Sequence, residues 1–418
     1  MPLRYLFVDM NAYFASVEQQ HDKSLRGRPV VVVPVLADST SCIAASYEAK
    51  AFGVKTGTPV WEARRLCPKI VVVEARPREY IVMHNRIVAA VGSCLPVHQV
   101  SSIDEMSCKL IGDERHPDKA TALGRRIKAA IYDTAGDYMR CSVGIGPSAM
   151  LAKVAADVRK PDGLVAFRDD DMPAALHRLK ITDFPGIGPR MGRRFNLYGI
   201  FTASQLCAAP QKTLAAVWGS RLIGEKWFRL LRGEDVPDKV GRRQTVGHSH
   251  VLPPDLRTDA GAYGVLVRLV HKAAARVRHI GYWAGAVSVG VSYEGEPGAV
   301  PDPAGWGRAG WGAGCRFPHR QDTPGILHEV ANLWGRRPAA GAPHKVGVVL
   351  TELVPARSAT PSLFEADRRQ TDLSHAMDDV NREFGASVVY FGTMFGMRDT
   401  APTRIPFNRV PELERCVS

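Results

Sequence analysis

What this chain lacks narrows it first. Its 418 residues hold eight cysteines, Cys42, Cys67, Cys94, Cys108, Cys141, Cys207, Cys315 and Cys416, and no two of them form C-x-x-C. That spacing is the usual mark of a zinc or dithiol site, so neither is expected. Scattered through apolar context, these thiols fit a reducing compartment. No apolar run approaches the ~18 residues that a membrane span needs. The opening MPLRYLFVDMNAYF is broken by Asp9 and Asn11 too early for a secretory leader. A cytoplasmic location is the expectation. Acid is also in short supply: 42 Asp and Glu stand against 55 Lys and Arg, a formal charge of +13. Such a balance favours polyanionic partners, nucleic acid first and acidic membranes second. A basic protein that is merely soluble is the plain alternative.

What is present alternates. Residues 4–10, 30–35 and 69–75 read as short apolar strands. Segments 12–20, 78–96, 119–136 and 148–164 read as helices, the last stopped by Pro161 and Gly163. Strands and helices alternate to about residue 167, which predicts one α/β domain with an inserted helical lobe near 15–75. Residues 168–235 read as wholly helical. Residues 236–255 read as an extended basic linker. A strong helix at 262–281, strands at 284–295 and 344–354, and a helix at 323–337 predict a second α/β unit. Residues 294–323, rich in Gly and Pro, read as a loop insertion. Beyond 356 only 374–385 has helical character.

One stretch is awkward. In QVSSIDEMSCKLIG, residues 99–112, Asp104 and Glu105 adjoin within a strand-like run. Neighbouring strand residues point to opposite faces, so one acid should face the core or a cleft. The pair is tolerable at a strand end or tight turn, where alternation fails. Asp9 ends another apolar strand. If the two strands are neighbours, three carboxylates converge. Two like charges ~4 Å apart repel by about 4 kcal/mol at an effective dielectric of ~20. Divalent metal ions remove that cost, and Mg²⁺ takes carboxylates together with phosphate oxygens. The other reading has Asp104 or Glu105 capping a turn and Asp9 pairing with an arginine.

Cations accompany these acids. In SYEAKAFGVKTG, Tyr47 and Lys50 stand three apart on one helix face. Lys153 lies on the helix after a glycine turn, and Lys160 ends that helix. Aimed at one acidic cleft, such lysines would complement a triphosphate; otherwise they are a solvated face. Further on, Pro185-Gly186-Ile187-Gly188 lies between two helical segments. This matches a helix-hairpin-helix, whose turn offers backbone N–H groups to a DNA phosphate. Arg190, Arg193 and Arg194 follow at once. Between Arg190 and Arg243 there are 11 Lys or Arg against 4 Asp or Glu, over half the excess charge of the chain. A stripe of this kind suits sequence-independent backbone binding with steep salt dependence.

FVDMNAYFASVE, SYEAKAFGV, SIDE, SVGIGPSAMLAKVAADVRKPDG, PGIG and VGHSHVLP occur in the order found in Y-family DNA polymerases, and the chain resembles that family over about residues 1–355. The resemblance implies an α/β (α+β) right-hand fold. A ferredoxin-like palm would occupy 1–10 and 77–167, with small fingers at 11–76. A helical thumb at 168–235, a linker at 236–245, a little finger at 246–355 and a tail at 356–418 would follow. It implies error-prone, template-directed DNA synthesis past lesions with two Mg²⁺ ions. Asp9, Asp104 and Glu105 would be the metal-binding and catalytic carboxylates, with Met10 offering its backbone carbonyl. Phe14 falls at the position that excludes the ribose 2′-hydroxyl. Tyr13, Phe14, Tyr47, Lys50 and Lys153 match nucleotide contacts. Gly186, Gly188, Arg190, Arg193, Arg242 and Arg243 would contact DNA. Leu363 and Phe364 loosely resemble a sliding-clamp-binding peptide, or are simply a packing pair. Primer-template DNA, dNTP and the clamp are the implied partners of a monomer.

Two departures stand out: Asn11 where an acid is usual, and Lys50 where arginine is usual. Lysine is a point charge and cannot grip phosphate bidentately. Two rivals remain. One is a non-catalytic adaptor that binds DNA, clamp and another polymerase. The other is a nucleotidyl cyclase, against which the thumb hairpin and basic linker count.

Overall fold

The computed structural model describes residues 2–38, 40–236, 244–293, 310–338, 341–360, 362, 364–385 and 387–401. The chain divides into two compact units, residues 1–238 and 239–403.

The first unit is built on a five-stranded sheet. Its elements run β1 (Tyr5–Met10), α1 (Tyr13–His21), β2 (Val30–Val33), β3 (Ala44–Ala45), α2 (Tyr47–Lys50), α3 (Val60–Leu66), β4 (Val71–Glu74), α4 (Pro77–Cys94), β5 (Val97–Val100), β6 (Glu105–Lys109), α5 (Pro117–Ala135), β7 (Cys141–Gly146), α6 (Ala149–Val158) and β8 (Leu164–Ala166). The sheet order is β5-β6-β1-β7-β8, with β1 antiparallel to both its neighbours. Every residue of β1 is buried, as its continuous apolar run requires.

Alternation assigns the two faces. Tyr5 and Phe7 pack with Ala152 and Ala156 of α6. They stand opposite Gly146 and Gly144 of β7. At Gly144 a Cβ would lie 1.9 Å from the Ala152 carbonyl oxygen, so only glycine lets α6 come this close. The next residue along, Val143, faces α5 instead, where it meets Gly124. Tyr5, Phe7 and Asp9 therefore share the α6 face, and Leu6, Val8 and Met10 the other.

Residues 30–74 form a separate three-stranded sheet, β3-β2-β4, over its own apolar cluster of Val31, Val33, Val54, Val60 and Ile70. The inserted lobe is thus mixed rather than helical, because the β-branched run VVVV pairs in parallel with VVVE.

Beyond β8 come α7 (Ala174–His177), α8 (Pro189–Leu197), α9 (Ala203–Ala208), α10 (Gln211–Trp218) and α11 (Arg221–Leu230). They close over Phe184, Ile187, Phe195 and Trp227, and Leu151 and Val154 of α6 join this core. One helix therefore braces both the sheet and the helical lobe.

The second unit has β9 (Val246–Val251), α12 (Asp259–His279), β10 (Tyr282–Tyr293), β11 (Gly310–Arg320), α13 (Thr323–Trp334), β12 (Pro343–Thr351), β13 (Val354–Pro355) and α14 (Glu365–Phe384). The order β11-β10-β12-β9 is antiparallel throughout. Helices α12 and α13 pack on it over Val265, Leu269, Val287, Val289, Ile326 and Val348.

Three sequence expectations need correction here. The stretch 294–323 is not all loop: Gly310–Arg320 is an edge strand, and 294–309 lies outside the described residues. Its apolar Trp311, Ala313, Cys315 and Phe317 do alternate, but intervening glycines blurred the period, and Pro318 is tolerated at an edge. Six of the twenty residues read as linker at 236–255 are strand, since Val246–Val251 pairs with Lys345–Leu350. In the tail, helix starts at Glu365, well before residue 374. Among the described residues no helix is long and apolar enough to cross a membrane.

Candidate active site

The acids meet because β1 and β6 are neighbours. Asp9 stands directly opposite Glu105 on one side and Ser142 on the other. Opposed residues of an antiparallel pair share a face, so Glu105 joins Asp9 on the α6 side. Asp104 precedes β6 in the turn from β5, where the Ser101 and Ser102 amides donate to the Glu105 carbonyl. The Asp104 carboxylate accepts from the Ser102 hydroxyl, and its carbonyl accepts from the Met10 amide at 2.8 Å. Asp104 thus lies in the turn and Glu105 at the strand end, where alternation no longer separates them. The Met10 side chain is buried on the opposite face.

Lysines answer the acids. The Lys160 ammonium lies 2.7 Å from both Asp9 and Asp157. Lys153 of α6 pairs with Glu105. Burial pushes the Asp9 carboxyl up to about 6 although Lys160 opposes the shift. Lys160 is raised in turn by Asp9 and Asp157, against its own burial. Among the described residues no three acids, histidines or cysteines surround one point as a finished metal cage. In chemistry, though, the set fits a hard divalent ion. All donors are oxygens, and Asp9 is a 5 %-exposed acid whose charge is only partly compensated.

Tyr47 and Lys50 lie at the same cleft. Their short helix is capped by the Ser46 side chain, which accepts from the Ala49 amide. The Lys50 ammonium sits 4.2 Å from the Tyr47 ring centroid. Desolvation there and the Lys160 charge lower its pKa. Tyr47 is raised by burial, with Lys160 pulling the other way. Lys160 therefore shares the field of Tyr47, Lys50 and Asp9. The sequence offered both Lys153 and Lys160 to an acidic cleft, and the resemblance chose Lys153 for the nucleotide; the structure pairs Lys153 with Glu105 and places Lys160 in the field of Tyr47 and Lys50.

Between β1 and α1 the chain turns through Ala12, a non-glycine residue at φ 47°. Such a conformation costs roughly 1–3 kcal/mol and persists only where the surroundings hold it. It aims Phe14 onto the Tyr80 ring, stacked with centroids 4.6 Å apart. Tyr80 donates at 2.7 Å to Glu18, a buried acid that also pairs with Arg76. The Tyr13 side chain points away into the core, where its hydroxyl donates to the Tyr80 carbonyl at 2.6 Å. That commits the Tyr13 side chain to the core.

In the helical lobe Gly186 turns at φ +95°, and Gly188 caps α8. Burial of Phe184 and Ile187 on either side leaves both glycines exposed, followed by exposed Arg190, Arg193 and Arg194. Arg242 and Arg243 lie outside the described residues, as does Leu363. Phe364 is 75 % exposed at the start of α14.

The model of the impB/mucB/samB family matches residues 8–157, and that family's C-terminal domain matches 243–363. DNA polymerase IV of Moorella thermoacetica is 34 % identical over 394 residues, covering 92 % of this chain and 94 % of that protein. DNA polymerase IV 1 of Bacillus subtilis is 26 % identical, covering 96 % and 95 %. Among solved structures, a Y-family DNA polymerase chimera of Dbh and Dpo4 superposes with a TM-score of 0.69 at 24 % identity, covering 84 % of this chain and 99 % of that one. An insertion ternary complex of Dbh DNA polymerase gives 0.56 over the same shares.

Proposed function

We propose how a chain that belongs to the impB/mucB/samB family, and is a Y-family translesion DNA polymerase, divides the work of nucleotidyl transfer among its residues. It is a DNA-directed DNA polymerase that takes primer-template DNA and dNTP and depends on a divalent metal. In our reading the five-stranded sheet with α4–α6 is the palm and residues 11–76 the fingers. The lobe at 168–235 is the thumb, and the second unit carries the little finger.

Asp9, Asp104 and Glu105, with the Met10 carbonyl, would hold two Mg²⁺ ions. Bound there, magnesium would lower the pKa of the primer 3′-hydroxyl and neutralise triphosphate charge. Tyr47, Lys50 and Lys160 bind the phosphates, and Lys153 keeps Glu105 in place. Phe14, fixed by its stack on Tyr80, blocks the ribose 2′-hydroxyl. Gly186 and Gly188 offer amides to a DNA phosphate, and Arg190 and Arg193 supply charge around them. Arg242 and Arg243 remain candidates by composition, and Leu363 and Phe364 a candidate clamp contact. The working state is a cytoplasmic monomer.

The opposition of Asp9 and Glu105 across paired strands, with Asp104 in the adjoining turn, is the observation that supports this division most. Primer extension with Mg²⁺ tests it. The purified protein should add nucleotides, and EDTA should stop the reaction. An adaptor without catalysis would bind the DNA and leave the primer unextended.

A further inference from the structure

Lys160 stands beyond the end of α6, so the helix does not place it. The turn that follows it is held from β1 and β7. The Asp162 amide donates to Asn11 Oδ1 at 2.7 Å. Asn11 Nδ2 donates to Ser142 Oγ at 3.0 Å, and that oxygen also accepts from the Gly163 amide at 3.4 Å. Two consecutive amides after Lys160 are thereby tied to one buried side-chain pair. Lys128 grips the same turn through Asp162 Oδ1 at 2.6 Å and the Gly163 carbonyl at 3.3 Å. Asn11 is itself fixed at 3 % exposure: its amide donates to the Arg140 carbonyl at 2.9 Å, and its carbonyl accepts from Ser16 Oγ at 2.7 Å.

We propose that Asn11 is a positioning residue for Lys160. Its buried carboxamide sets the turn at 160–163 so that the Lys160 ammonium lies at Asp9 and within reach of the substrate triphosphate. This rests on the reading of Lys160 as a phosphate contact. A carboxamide suits the task because it supplies both a donor and an acceptor without charge two residues from Asp9. Aspartate would keep the acceptor for Asp162 and could take the Ser142 hydroxyl proton as its second bond. Leucine, of similar size, would take away the partner of the Asp162 amide.

Single-nucleotide incorporation tests this, with primer-template Kd and Tm measured alongside. Asn11→Leu should raise the dNTP KM about tenfold while kcat stays within about twofold and DNA affinity is unchanged. Asn11→Asp should bring KM back to within about threefold of wild type. Ser142→Ala, which removes the tie to Gly163, should raise KM less in the same direction, and it carries the test if Asn11→Leu does not fold. Asn11→Leu combined with Lys160→Met should be no worse than Lys160→Met alone, since both act on one contact. If Lys160→Met raises KM and neither Asn11→Leu nor Ser142→Ala does, or if the double mutant is additive, the positioning role is wrong. If Lys160→Met leaves KM at the wild-type value, the phosphate reading of Lys160 falls and takes the positioning role with it.

Discussion

Each of the two units covers a sheet with helices, mixed in the first, where β7 and β8 run parallel, and antiparallel in the second, and uses it to different ends. In the first, β1 and β6 each carry an acid, and cross-strand register sets Asp9 against Glu105. In the second, none of the four paired strands holds an Asp or Glu: they read VGHSHV, YWAGAVSVGVSY, GWGAGCRFPHR and PHKVGVVLT. Its buried charges are Arg268 and Arg278 of α12 and Asp322, whose side chain caps α13, among the described residues. Arg278, 8 % exposed, is gripped by Asp378 of α14 at 2.6 and 2.8 Å. Arg268 meets Ser387 at 2.6 Å. Similar sheet construction therefore yields a candidate reaction centre in one unit and a clamp on its own C-terminal segment in the other. Chemistry follows from which residues the register brings together, not from the sheet.

The contrast can be pressed hardest at Phe14. If the first unit is the reaction centre and Tyr80 holds the gate, Phe14→Ala should raise ribonucleotide incorporation on the order of a hundredfold relative to deoxynucleotide. Equal discrimination before and after would remove Phe14 from the site.

Acid should distinguish the units next. Burial lowers His248 and His271 of the second unit to about 4 from 6.5. Their Nε2 atoms are buried with no hydrogen-bond partner among the described residues. Between pH 6.5 and 4 the unfolded chain binds more protons at these groups than the native one, so stability falls with falling pH. Asp9 has the opposite sign: its native pKa of about 6 lies above its ordinary 3.8, so protonation over that window favours the native state. Thermal melts followed by hydrogen exchange from pH 7 to 4.5 should show α12 losing protection before β1. Protection lost first in β1 would contradict this.

The smallest effect is expected at Lys50. Arginine there would grip phosphate with two N–H groups, and Lys50→Arg should lower the dNTP KM by roughly threefold. An unchanged or higher KM would count against the contact.

Much of this site was legible in the sequence because its parts are local. Asp9 closes an apolar run, and Asp104 and Glu105 are adjacent. Tyr47 and Lys50 have helical spacing, and Gly186 and Gly188 punctuate two helical segments. What was not legible depends on partners distant in the chain. Lys160 lies past its helix and is placed by Asn11, Ser142 and Lys128, bonds that no spacing reveals. The resemblance matches Lys153 to a phosphate contact, but nothing in the sequence shows that Glu105 stands across from it. The edge strand Gly310–Arg320 was hidden because glycine contributes no side chain to a period-two pattern. Tyr13 looked available beside Phe14, yet successive helical residues face different directions, and one of the two had to enter the core.

The most direct test is single-turnover nucleotide incorporation by Asp104→Ala and Glu105→Ala beside wild type, with primer-template Kd measured for each. If these acids hold the metal at the strand ends, incorporation should fall by about a thousandfold or more while DNA binding stays within about threefold. Near-normal incorporation in either variant would show that the reaction centre lies elsewhere.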